Sequence, residues 1–140
     1  MELVVVLLIL GVLGAVAVSR FGPNSITNLG AEADARKLAL DLLQAQRRAM
    51  VTGDNHYLLF TSGGGSVTGY TIYRRGTPDV AVDSARQFDS RLAVTASHTT
   101  TEYDFSGAAL ASYQFTLTAP DRTWTVSVVA ATGSVSVSEN

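Results

Sequence analysis

A single apolar run at the N-terminus constrains the fold of this 140-residue chain most strongly. Residues 3–18 contain no polar side chain, and Glu2 precedes them while Arg20 follows shortly after. About sixteen residues make a helix of roughly 24 Å, which is shorter than the hydrocarbon core of a bilayer yet long for the core of a small domain. The run therefore predicts a hydrophobic transmembrane or assembly helix over residues 1–22, set apart from the domain that follows.

The rest of the chain, residues 23–140, has the composition of an ordinary soluble domain and is long enough to bury a core. The formal net charge of -2 gives no bulk electrostatic reason to expect a nucleic-acid or anionic-membrane partner. Because the chain contains no cysteine, disulfides, thiolate nucleophiles and thiolate metal sites are excluded.

Three interpretations of the apolar run give the chain different functions. A cleaved secretory signal would use the small-x-small pattern of Ala15, Val16 and Ala17, but Glu2 stands where such signals carry Lys or Arg. A plain membrane anchor would use Arg20 as its flanking charge and would leave Glu2 in the headgroup region without a further role. The third interpretation depends on a resemblance to a known family. Motifs in the later parts of the chain add to that resemblance, so it is described after them.

The helical pattern breaks after the apolar run. Gly22 and Pro23 disfavour a helix, because proline lacks a backbone donor and restricts the residue before it, and we expect the weak zone to extend to residues 28–30. From about residue 31 to 51, apolar residues recur at steps of three and four, which predicts a helix with one buried stripe and with Asp41 among the polar residues of the other faces. The stripe is rich in small residues and consists of Ala35, Leu38, Leu42, Ala45 and Ala49.

Beyond residue 55 the apolar period falls to two, and β-branched and aromatic residues dominate, so residues 56–138 predict antiparallel β-structure. The predicted strands cover residues 57–61, 67–74, 80–82, 92–95, 99–105 and three segments between 113 and 137. Those last three segments predict two successive hairpins, each with one buried face. The expected fold class is α+β, with a long N-terminal helix, hydrophobic in its first half and amphipathic in its second, packed on antiparallel sheet.

The stretch Glu2–Leu13 resembles the start of type IV pilins and type II secretion pseudopilins, in which one glutamate precedes an apolar helix. The resemblance implies that Glu2 meets the N-terminal amine of a neighbouring subunit and sets its register during assembly. The family's Gly-Phe cleavage site, Thr-Leu pair and basic leader do not precede Glu2 here, and we expect upstream sequence to encode them. The positions at which the resemblance implies that the helix bends or melts are Gly11, Gly14, Gly22 and Pro23.

Further motifs, most of them in the C-terminal half, are similar to one particular branch of this family. Residues 103–107, the ending Thr132–Val137 and the helix phrase Ala45–Met50 are similar to the H-type minor pseudopilins, a GspH/FimT-like family that includes FimT-like and MSHA-type minor pilins. The resemblance covers both ends of the chain and the helix, about half of the sequence, whereas residues 63–97 match no pattern of the family.

Few residues could support catalysis or metal binding. His56 and His98 have no partner at a ligand spacing and are predicted to lie at the surface. The glycine run 63–65 lies between two strands, where no helix N-terminus could bind a phosphate. Glu102 and Asp104 share one face of a strand, but two carboxylates are too few for calcium. We therefore predict no enzymatic activity, no metal and no cofactor.

Nucleic-acid binding is not expected either. FimT-like relatives that are associated with DNA uptake carry arginines around the final Thr-Gly-x-Val-x-Val motif. Here Ser134 and Ser136 occupy the variable positions, and the chain ends on Glu139 and Asn140. Without cations, little counterion release would drive binding.

The resemblance implies a non-catalytic minor pilin or pseudopilin that assembles through its N-terminal helix and supports protein secretion or pilus biogenesis. Its partners would be other pilins and an inner-membrane assembly platform. Its location would be the bacterial inner membrane, crossed once, with the C-terminal domain in the periplasm or in a filament. The alternative is a membrane-anchored periplasmic β-domain that binds a ligand and never polymerises.

Overall fold

The computed structural model describes the backbone of residues 2–20 and 22–140, and the side chains of residues 2, 17–20 and 23 lie outside the described part. Over these residues the chain forms two helices followed by nine strands. The helices are α1 (Glu2–Arg20) and α2 (Pro23–Thr52). The strands are β1 (His56–Gly63), β2 (Ser66–Arg74), β3 (Val80–Ala81), β4 (Arg86–Gln87), β5 (Ala93–Ala96), β6 (Thr100–Tyr103), β7 (Tyr113–Thr118), β8 (Thr123–Val128) and β9 (Val135–Glu139).

One face of α2 packs on the β-structure, as the apolar spacing predicts. All five residues of the predicted stripe are completely buried, and Ala31 and Ala39 extend it. Because most of these side chains are single methyl groups, the helix can approach the strands closely. The helix ends where Gly53 adopts a φ of 74° and its N–H donates to the carbonyl oxygen of Ala49 at 3.0 Å.

The helix α2 begins at Pro23 rather than near residue 31, so the expectation of a weak zone at residues 28–30 is wrong. Asn28 exchanges two hydrogen bonds with Asp121 in the β7–β8 turn, at 3.1 and 3.4 Å. Six residues later, Asp34 Oδ2 accepts the backbone N–H of Asp89 at 3.0 Å. These contacts to distant loops stabilise the helix at residues 28–30, where the local sequence disfavours it. The predicted break is confirmed at Gly22, whose ψ of 163° is extended.

The strands form two antiparallel sheets. The first has the order β3-β2-β1-β6, with β4 also paired to β2, and the second has the order β5-β7-β8-β9. The two predicted C-terminal hairpins are confirmed, with Phe115 opposite Val126 and Val126 opposite Val137. Alternate residues of β7 enter the core, as predicted. In β8, Trp124, Thr125 and Val126 are buried in succession, so the expectation of one buried face is wrong for this strand. The α+β fold class, with a helix packed on antiparallel sheets, is therefore confirmed.

Aromatic side chains join the two sheets into one core. Phe60 of β1 lies 4.8 Å from Phe115 of β7 and 5.8 Å from Tyr70 of β2, between ring centroids. Tyr70 in turn lies 5.4 Å from Phe88. Such tilted contacts between large rings are typical of well-packed cores. The two sheets and α2 therefore share one hydrophobic cluster.

Residues 83–91 contain a strand that the periodicity did not predict. The two residues of β4 pair with Gly69 and Tyr70 of β2. A Cβ atom on Gly69 would collide with the carbonyl oxygen of Arg86, so only glycine permits this close approach. The short pairing carries Arg86 to the buried side of α2.

Candidate assembly surface

The described side chains of α1, residues 3–16, are all exposed to solvent. Leu3 at one end is 74% exposed and Val16 at the other is 52% exposed. Along residues 3–16, apolar side chains occupy every face of the helix, so this described stretch has no polar side to turn towards water. Over the described residues, no helix is long and apolar enough to span a bilayer. The segment is an uncovered apolar surface joined to a domain that has its own core.

The residues expected to act in assembly are spread along the two helices rather than gathered at one site. Glu2 is the first residue of α1, and its side chain lies outside the described residues. Gly11 and Gly14 lie within α1, and apart from the adjacent backbone of the helix itself no described atom lies within 4 Å of the position that a Cβ would take at either. Gly22 precedes α2 in a non-helical conformation, and Pro23 is the first residue of that helix.

A second apolar stripe runs along the face of α2 opposite the buried one. It has the same helical spacing, although the predicted helix had only one apolar stripe, and Leu29, Leu40 and Val51 within it are 68%, 66% and 86% exposed. Leu43 is half-buried. We call this surface the outer stripe, and its members are Ile26, Leu29, Ala33, Leu40, Leu43 and Val51.

Cations flank the outer stripe. Arg36 pairs with Glu32 at 2.7 Å, which is the pair expected from residues four apart. Lys37 and Arg47 are exposed, and among the described residues neither forms an ion pair or a side-chain hydrogen bond. Arg48 differs, because it donates to the carbonyl oxygen of Val82 at 3.1 Å and so supports the fold.

The C-terminal motifs that carry the resemblance have a packing role. Gln46 on α2 donates through Nε2 to the carbonyl oxygens of Gly107, at 2.7 Å, and Thr132, at 3.1 Å. Gly133 has a φ of 65°, and a Cβ there would collide with the carbonyl oxygen of Gly107. The turn at residues 104–107 and the turn before β9 therefore meet each other on the helix.

The positions considered for DNA binding remain on the surface. Ser134 and Ser136 are both exposed at the start of β9. At the other end of that strand, Glu139 pairs with Arg122 at 3.0 Å, so this cation is already engaged by a carboxylate.

Asp41 is buried, so its placement among the outward polar residues of the helix is wrong. The residue is 4% exposed, and Oδ2 accepts a hydrogen bond from the Tyr70 hydroxyl at 2.6 Å. Arg86 Nε lies 3.0 Å from the same oxygen, and Arg86 also pairs with Asp83 at 3.1 Å. Burial, and then the hydrogen bond to Asp41, raise the pKa of Tyr70 above its usual value. The group satisfies charges inside the core and offers no open position to a substrate.

A second group of charged side chains lies at one end of the first sheet. Arg75 pairs with Glu102 at 2.7 Å and with Asp79 at 3.1 Å, and its guanidinium lies 4.2 Å from the centroid of the Tyr57 ring. The hydrogen bond from Arg75 lowers the pKa of Glu102 despite the opposing effect of burial. Asn55 also donates to Glu102 at 3.1 Å. This carboxylate is therefore occupied by protein donors.

The two histidines lie in different environments. His56 is 1% exposed, so its predicted surface position is wrong, and Nδ1 lies 3.0 Å from the carbonyl oxygen of Asp54. His98 is exposed, as predicted, and its ring is nearly perpendicular to that of Tyr113, with 5.1 Å between the ring centroids. Within the described residues, no group of three or more potential metal ligands converges.

No protein-family model matches this chain, and no curated protein matches it in sequence. Its fold is similar to that of the minor pseudopilin EpsH from the Type 2 Secretion System of Vibrio cholerae, with a TM-score of 0.65 and 12% identity. The match covers 77% of this chain and 95% of EpsH.

The type IV minor pilin FimU of Pseudomonas aeruginosa (strain PAO1) is similar in two crystal forms. One has a TM-score of 0.64 and 14% identity over 76% of this chain and 87% of FimU. The other has a TM-score of 0.62 and 13% identity over 76% and 91%. At such low identity these matches establish the fold alone, and the chain accordingly has a pilin-like fold of the kind found in minor pilins and pseudopilins.

Proposed function

We propose that this protein is a non-catalytic minor subunit of a type II secretion pseudopilus or a type IV pilus. Its N-terminal helix would pack among the helices of neighbouring subunits and hold the protein in the filament. In this role the chain supports protein secretion or pilus biogenesis by assembling, and it needs neither a cofactor nor a metal.

The exposed apolar surface of α1 is the observation that carries this proposal. Each described residue from 3 to 16 leaves its side chain uncovered, although the domain that follows has a complete core of its own. Such an apolar surface is unfavourable in water and requires lipid or other protein around it. The pilin-like fold supports a filament as the place where neighbouring protein covers it.

The finer assignment follows from the same resemblance. The C-terminal phrases favour an H-type minor pseudopilin, with an MSHA-type minor pilin as the pilus counterpart. Before assembly, α1 would be held in the bacterial inner membrane, and residues 23–140 would form the periplasmic domain. The other subunits and the inner-membrane platform would be its partners.

Within α1, Glu2 is the residue proposed to select the neighbour. A carboxylate in an apolar environment is costly unless it is paired, so a neighbour's cationic amine would stabilise it. Gly11 and Gly14 lack side chains that would keep an adjacent helix away. Gly22 and Pro23 would let α1 change direction relative to α2.

Substitution of Glu2 tests the assembly role. In the native host, with the precursor carrying any upstream sequence, we expect Glu2→Ala to lower incorporation into sheared filaments at least about tenfold, the effect of roughly 1.4 kcal/mol. The amount of subunit in the membrane fraction should stay unchanged. Glu32→Ala, which removes a carboxylate from α2, is the matched control and should assemble normally.

Unchanged incorporation of Glu2→Ala would contradict the role of Glu2. Crosslinking in membranes tests the wider proposal, since neighbouring pilins should be captured through α1. Capture of no pilin-like subunit would favour the ligand-binding domain over the filament subunit.

A further inference from the structure

The outer stripe of α2 presents an apolar and basic surface that no part of the described chain covers. Leu29 and Leu40 stand about two thirds exposed, with Arg36, Lys37 and Arg47 beside them. Glu32 is the acid on this side of the helix, and it is paired with Arg36. The surface therefore carries a local positive charge, although the chain as a whole has a net charge of -2.

We propose that the outer stripe rests on an anionic phospholipid surface while the protein is not in a filament. This placement rests on the proposed attachment of α1 to a membrane, which would keep the start of α2 close to the headgroups. The exposed leucines enter the boundary between headgroups and acyl chains, and Lys37 and Arg47 meet lipid phosphates. Apolar residues combined with cations on one face are the features by which helices bind in the plane of a membrane.

The distribution of carboxylates favours lipid over a second copy of the chain as the partner of these cations. Seven of the twelve acidic residues already form ion pairs within the chain. Asp34, Asp104 and Asp121 accept hydrogen bonds from other residues. Among the acids whose side chains are described, this leaves Asp54 to pair with Lys37 or Arg47 of another copy. Anionic lipid supplies negative charge along the whole stripe.

The fold leaves this face free to lie on a membrane. The buried stripe of α2 is opposite, so both sheets are on the far side of the helix from the outer stripe. The helix can therefore lie along a surface without disturbing the core.

The absence of cysteine from the chain makes a site-specific test clean. Leu40→Cys places a polarity-sensitive label in the outer stripe, and Ser62→Cys places the same label at the exposed end of β1 as the control. The full chain is mixed at a low protein-to-lipid ratio with vesicles of phosphatidylcholine, with or without phosphatidylglycerol. Flotation and quenching by acrylamide, which is uncharged, are then measured.

With phosphatidylglycerol present, we expect quenching of the label at residue 40 to fall severalfold, while the label at residue 62 is quenched as before. Lys37→Gln combined with Arg47→Gln should weaken this protection, since each cation near an anionic surface contributes about fivefold to binding. Added salt should weaken it as well, because the attraction is screened.

Full quenching at residue 40 in anionic vesicles would overturn the inference. So would equal protection in neutral vesicles that grows with protein density, since that result indicates a second copy on the stripe. Flotation with neutral vesicles separately tests the attachment through α1. A chain that fails to float with them but shows protection at residue 40 in anionic vesicles contradicts the attachment and supports the outer stripe.

Discussion

The two faces of α2 carry apolar residues at the same helical spacing but lie in opposite environments. The inner face is built largely from alanines with Leu38 and Leu42, and it is completely buried. The outer face displays larger residues between cations, and Leu29 and Leu40 remain exposed. Small side chains let a helix approach a sheet closely, whereas bulky residues beside arginines keep it at a distance. Residue size thus separates a face for the chain's own core from a face available to another surface.

The largest expected difference between the faces is in stability. Leu38→Ala should lower the free energy of unfolding by about 2–5 kcal/mol, because it leaves a cavity beneath the helix. Leu40→Ala, two residues further along but on the outer face, should change it by less than about 0.5 kcal/mol. Urea unfolding of the full chain in detergent, followed by tryptophan fluorescence, measures both. Equal losses would show that the outer face is also covered within the chain.

The next effect compares two glutamines of α2, of which one contacts the β-domain and the other lies on the outer side. Gln46→Ala removes the donor that joins the turns at Gly107 and Thr132, and we expect a loss of about 1–2 kcal/mol. Gln44→Ala, on the groove beside Leu40, should have almost no effect on unfolding. Hydrogen exchange should also accelerate at residues 104–107 and 132–134 in Gln46→Ala alone. Equal exchange rates in the two variants would contradict the proposed contact between the turns and α2.

The smallest effect compares two carboxylates. Glu102 belongs to the charged group at the end of the first sheet, and Glu32 lies on the outer side of α2. The pKa of Glu102 is lower when folded than when unfolded, so its contribution is present above the unfolded pKa and is lost as pH falls through the folded value. At neutral pH, Glu102→Gln should cost about 1 kcal/mol, and the difference from the unsubstituted chain should shrink in acid. Glu32→Gln removes an exposed pair and should cost less than about 0.5 kcal/mol. A difference for Glu102→Gln that stays constant across the acid range would contradict this pKa assignment.

Most of the fold could be predicted from the sequence, because the spacing of apolar residues and the residue types are enough to predict regular helices and strands. The buried stripe of α2 and the two C-terminal hairpins were confirmed at their predicted positions. For the candidate site, the apolar run of α1 was evident from composition. The outer stripe has the same spacing as the buried one, but the prediction of one buried stripe for the helix does not include it.

Contacts between distant residues determined what local pattern could not. The first turns of α2 are helical because Asn28 and Asp34 bond to Asp121 and Asp89, far along the chain. Asp41 is buried because β4 brings Arg86 to it, and β4 itself depends on the glycine opposite. Helical spacing, alternation and the apolar run were properties of the sequence alone. Which polar groups are buried, and which apolar face stays uncovered, was decided by tertiary structure, because charge pairing and burial depend on partners that the sequence places far apart.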